Sequence, residues 1–142
     1  MNEFLLFGYP DCRVKVTGVQ VAINPLLLRT SRYFGSVRIK KTHPLVDLFL
    51  AYGDNATDSN GREVQAPPLG GISGTPVWAV ERTNSGVWSP ESSLHVVGVN
   101  SACVSRRGSK IYLIAKQWAA IWKVFERIDA EVAMEIHQAL YL

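Results

Sequence analysis

The stretch PPLGGISGTPVWAV, Pro67 to Val80, places three glycines, three prolines and one serine ahead of a short apolar run. Ser73 stands in its middle as a candidate nucleophile. A serine hydroxyl that attacks an acyl carbonyl needs two backbone N–H groups converging on the developing oxyanion. Glycines beside the serine let the backbone approach without a Cβ in the way. Gly71 and Gly74 stand where that chemistry needs them. The α/β-hydrolase elbow G-x-S-x-G does not fit, because Thr75 replaces its last glycine. In addition, TPVWAVE, Thr75 to Glu81, alternates as a strand does instead of opening a helix. The serine therefore belongs to a β setting.

Working outward, the chain before Lys110 is a series of short apolar or alternating runs: EFLLFGYP, RVKVTGVQVAI, SRYFGSVRIK, PLVDLFLAYG, TPVWAVE and LHVVGVNSA. Their Val, Ile, Tyr and Phe content, with Gly, Asn, Asp or Pro at their ends, predicts β-strands. The expected fold is mainly β: a single domain formed by a six-stranded antiparallel Greek-key barrel over about 4–113. Residues 52–68 carry many turn formers and little apolar content, and read as a long exposed loop. From Ala115 onward there is neither Gly nor Pro. Trp118, Ile121, Trp122, Phe125, Ile128, Val132 and Ile136 recur at three- and four-residue steps. This spacing predicts one amphipathic helix to about Leu140, with Trp118, Trp122 and Phe125 on the barrel. Val132, Ile136 and Leu140 are left as candidates for contact with a second copy.

Composition narrows the function classes. With 142 residues, 47% apolar and 19% charged, the chain has enough apolar content for one real core. No run approaches the ~18 apolar residues of a membrane-spanning helix, so no membrane partner is expected. FLLFG at the start lacks a basic leader and a cleavage site, and reads as a strand; a cytoplasmic location is expected. Cys12 and Cys103 are too few for a disulfide framework and are expected as free thiols in a reducing compartment. The net charge of +3 is mild. Two basic groups, Arg38, Lys40, Lys41 and Arg106, Arg107, Lys110, have no interleaved aromatics. They read as solvated loops rather than a nucleic-acid surface. Neither cofactor nor metal is expected.

GGISGTPVW, then LHVVGVNSA, then KIYLIAKQWAAIW resembles the C-terminal half of trypsin-like (chymotrypsin-fold) serine peptidases, particularly divergent intracellular bacterial ones. The resemblance covers nearly the whole chain but only half of that family's catalytic domain. It implies Ser73 as nucleophile and the amides of Gly71 and Ser73 as oxyanion hole. VGVNSA matches the strand that binds substrate backbone, implicating Val99, Asn100 and Ser101. The implied partners are a peptide or protein substrate and an N-terminal barrel, or a second copy of the chain. In this family, histidine and aspartate precede the serine on that N-terminal barrel.

Only His43 precedes Ser73 here, with Asp47 four residues later, and it stands where the family places no base. His43, His95 and His137 are therefore expected to be structural or exposed. Without a base the serine is a poor nucleophile, so this chain alone should hydrolyse peptides weakly. Ile72 replaces the acidic residue that secreted members pair with a freed N-terminus, and Pro67 occupies the place of the specificity-pocket floor. Three readings stay open: a peptidase half-domain completed by an upstream barrel, a degenerate barrel used for protein binding, and an acyl hydrolase of another fold using Ser73 with His43.

Overall fold

Apolar residues alternate with exposed ones in FLLFG and LLLRT, and this period of two buries one face of each strand. The computed structural model describes residues 3–37, 41–81, 89–106 and 109–140. Its ten strands are β1 (Phe4–Gly8), β2 (Val14–Thr17), β3 (Gln20–Ile23), β4 (Leu26–Thr30), β5 (Asp47–Ala51), β6 (Asn55–Asp58), β7 (Glu63–Gln65), β8 (Pro76–Val80), β9 (Leu94–Arg106) and β10 (Ser109–Gln117). Eight of them form one antiparallel sheet in the order β5-β10-β9-β8-β1-β4-β6-β7, and β2 and β3 form a separate hairpin. Phe4, Leu6, Leu28, Leu50, Val77, Ala79, Leu113 and Ala115 share one buried cluster. Burying a Leu or Phe side chain contributes about 1.5–3 kcal/mol, so this shared face is what sets the strand registers.

The architecture is mainly β with C-terminal helix, as expected, but an eight-stranded open sheet replaces the closed six-stranded barrel. Two causes are visible. The polar segment after Tyr52 is not a loop: β6 and β7 add to β4, with Ala56 and Ala66 buried beneath them. At the other edge the chain beyond β4 meets β5 only through an isolated bridge, Arg32 to Leu50. Two backbone bonds flank it, Ala51 N to Ser31 O (2.8 Å) and Tyr33 N to Phe49 O (2.9 Å). The Thr30 hydroxyl takes the Ala51 carbonyl and ends the ladder there.

Three smaller corrections follow. RVKVTGVQVAI is a hairpin rather than one strand, because Gly18 with φ of 60° turns the chain at its centre. SRYFGSVRIK makes no strand among its described residues; Arg38, Ile39 and Lys40 lie outside them. β10 extends to Gln117, so the helical segment starts later than expected and breaks in two, α2 (Trp118–Ile128) and α3 (Ala130–Leu140). Asp129 causes the break: its Oδ1 accepts from the amides of Glu131 and Val132, both at 3.1 Å, capping α3. Trp118 and Trp122 are half-buried, and Trp122 packs on His137 with ring centroids 5.0 Å apart. Phe125, expected on the barrel, is exposed, as are Ile128 and Val132; Ile136 is half-buried. Among the described residues no helix is long and apolar enough to cross a membrane.

The turn before β5 is locked by a buried carboxylate. Asp47 pairs with Lys116 of β10 and accepts from the His43 amide at 2.8 Å, while Gln117 N donates to Val46 O at 2.7 Å. Burial raises the Asp47 carboxyl, but the Lys116 ammonium and the His43 amide outweigh it and hold the group below its ordinary range. A lowered native value means that the stabilisation is fully present above the ordinary carboxylate range and is lost as pH falls through the native value. Asp47→Asn should cost about 1–3 kcal/mol near neutrality. In urea titrations from about pH 7 down to about pH 3, the wild-type and variant stabilities should converge.

Candidate functional site

The turn that carries Ser73 is shaped by its neighbours on both sides. Gly71 and Gly74 have φ of 86° and 90°, a region that side-chain-bearing residues rarely enter. Ile72, between Gly71 and Ser73, is buried, and the Thr75 hydroxyl donates to its carbonyl at 2.5 Å. With Ile72 pinned inward, Ser73 is forced outward and is exposed. Tyr52 supports the approach from beneath, its buried hydroxyl donating to Pro67 O at 2.6 Å. That burial raises its pKa above the ordinary tyrosine value.

The turn is tied to β9 by a reciprocal pair of backbone bonds, Gly74 N to Asn100 O and Asn100 N to Thr75 O, each 2.8 Å. The Asn100 side chain is buried and reaches Ile72 O at 3.4 Å. Ser73 Oγ donates to Ser101 O, also at 3.4 Å. Amides around the serine are spent unevenly. Ile72 N donates to Leu69 O, Gly74 N to Asn100 O and Thr75 N to Ile72 O, whereas the amides of Gly71 and Ser73 donate to no described residue.

The five residues singled out in the sequence thus divide by role. The Ser73 hydroxyl reaches Ser101 O, and Gly71, two residues before Ser73, is exposed on the same turn. Val99 is committed to the ladder, opposite Pro76 on one side and Lys116 on the other, and Asn100 is a buried support. After Asn100, β9 pairs among the described residues with β10 alone, since its pairing with β8 ends at Val99. One backbone edge of β9 therefore opens next to Ser73, the arrangement an extended peptide uses when it adds as a strand.

No described histidine bonds to Ser73. His43 is exposed and its Nδ1 accepts from Leu45 N at 3.2 Å, while His95 pairs with Glu81 at 3.3 Å. Asp47, four residues after His43, is committed to Lys116, and its hydrogen bond from His43 comes from the backbone amide. No cluster of potential metal ligands occurs among the described residues, and the thiols of Cys12 and Cys103 are both exposed. Lys41 is exposed; the side chains of the other basic-group residues lie outside the described set.

Sequence reasoning missed Asp11. It lies in a 3₁₀ turn, Asp11–Arg13, and its carboxylate rests against Gly71: an ideal Cβ on that glycine would stand 2.0 Å from Asp11 Oδ1. The Pro-Asp pair in YPDC signals a turn, but nothing in the sequence says which loop the turn meets. No family model, curated protein or solved structure matches the chain.

Two substitutions separate the turn's backbone from its nucleophile. Gly71→Ala meets both the positive φ and the Asp11 carboxylate, and should cost about 1–3 kcal/mol in thermal or urea unfolding. Ser73→Ala removes an exposed hydroxyl with one long hydrogen bond, and should stay within about 0.5 kcal/mol of wild type.

Proposed function

We propose that this chain is the nucleophile-bearing half of a trypsin-like serine peptidase. It cleaves peptide bonds through an acyl-enzyme on Ser73, with base and acid supplied by an N-terminal barrel. The observation that carries the reading is the pair of undonated amides, Gly71 N and Ser73 N, flanking an exposed serine hydroxyl in a glycine turn. The open β9 edge beside Ser101 suits an extended polypeptide substrate, and no cofactor is required.

Two cysteines, too few for a disulfide framework, suit a reducing, cytoplasmic setting. Exposed Ile128, Val132 and Met134 on the helices offer apolar surface for a second copy.

The absence of any described histidine at the Ser73 hydroxyl favours a second reading, a non-catalytic barrel that binds extended peptides at the same edge. A fluorophosphonate probe with mass spectrometry distinguishes the two. Labelling of Ser73 in the chain joined to its upstream barrel, weak in the chain alone and abolished by Ser73→Ala, is the expected result. A folded two-barrel protein that takes no label at Ser73 would leave the binding module as the function.

A further inference from the structure

The geometry points to a small-molecule site away from the Ser73 turn: the cleft between β9 and the two C-terminal helices takes a flat aromatic carboxylate. This inference is independent of the peptidase reading.

The cleft has a volume of about 420 Å³, within the range of about 300–1,000 Å³ that small-molecule sites occupy. Val96 and Val97 line it from β9, and α2 supplies Trp118, Ala119, Trp122 and Lys123. Trp118 with Trp122, and Ala119 with Lys123, stand four residues apart on the helix, so each pair shares a face one turn apart. Two indoles and two valines make the walls apolar, and the short Ala119 side chain keeps the space between them open. Trp118 and Trp122 are only half-buried, which leaves ring surface on which another flat ring can stack. The two indoles are also held in place. Gln117, just before Trp118, donates from Nε2 to Pro44 O at 2.8 Å and from its amide to Val46 O at 2.7 Å, fixing the start of α2. His137 of α3 packs on Trp122 with ring centroids 5.0 Å apart.

Polar groups around the cleft set the charge of its ligand. Lys123 is exposed, and it belongs to none of the ion pairs among the described residues. Among the described residues that line the cleft there is no Asp or Glu. Trp118 Nε1 is buried and bonds to no described residue. An ammonium and an indole N–H can only donate, and a buried donor without an acceptor is costly. A carboxylate brings the acceptor oxygens that both groups call for, together with the charge that suits Lys123. The pair of indoles could otherwise cage a cation, but such a ligand meets the Lys123 ammonium as a like charge.

The test titrates naphthoate and its neutral analogue naphthylmethanol into the folded chain while the indole Nε1–H resonances of Trp118 and Trp122 are followed. Naphthoate should shift both, bind about threefold more tightly than the alcohol, and lose that advantage as salt is added. Lys123→Gln, with an otherwise unchanged amide spectrum, should bring the acid down to the affinity of the alcohol. Ala119→Leu places a larger side chain in the cleft from an exposed helical position, and should weaken both probes on the order of tenfold. Indole resonances that neither probe moves, an acid preference that survives in Lys123→Gln, or binding that Ala119→Leu leaves intact overturns the inference.

Discussion

The reciprocal bonds between Gly74, Thr75 and Asn100 are the constraint on which the rest of the site depends. They graft an irregular turn onto the regular ladder of β9, so the turn inherits the rigidity of a strand paired with β10 and β8. Once those bonds are made, Ile72 is drawn into the core and Ser73 is pushed to the surface. The two glycines are then required, because the chain must reverse twice within four residues, at Gly71 and Gly74, with φ positive at both. Buried Asn100 bridges to Ile72 O and ties the side-chain layer to the same joint.

A second joint, at Asp47 and Lys116, fixes the far end of β10, where the sheet passes into the helices. Its chemistry accounts for His43, which the sequence places as structural or exposed. The His43 amide caps the Asp47 carboxylate and its ring nitrogen accepts from Leu45, so the His-Asp pair belongs to a turn. The two residues are close in sequence, but the Asp47 charge is matched by Lys116. On the proposed peptidase reading, the base has to come from outside the described residues.

What could be read from the sequence follows the range of the interactions. Ser73 with Gly71 was legible because the turn's chemistry lies within a few consecutive residues. FLLFG and LHVVGVNSA were legible because a period of two survives any partner. β6 and β7 were not, because a segment of Asn, Thr, Asp and Ser becomes a strand only through its pairing with β4 and the burial of Ala56 and Ala66. The break at Asp129 had a local signal, an aspartate two residues before Glu131, outweighed by the continuous apolar period around it. Asp11 carried only the turn signal of Pro10 and Asp11, and its meeting with Gly71, far away in sequence, leaves no local trace.

Amide hydrogen exchange read residue by residue addresses the central claim most directly. The account predicts that the amides of Gly74 and Asn100 exchange slowly, near the rate set by global unfolding, while those of Gly71 and Ser73 exchange quickly beside them. Rapid exchange at Gly74 and Asn100 would mean that the turn is not fixed to β9. Protection at Gly71 and Ser73 would mean that their donors are already taken and cannot meet an oxyanion.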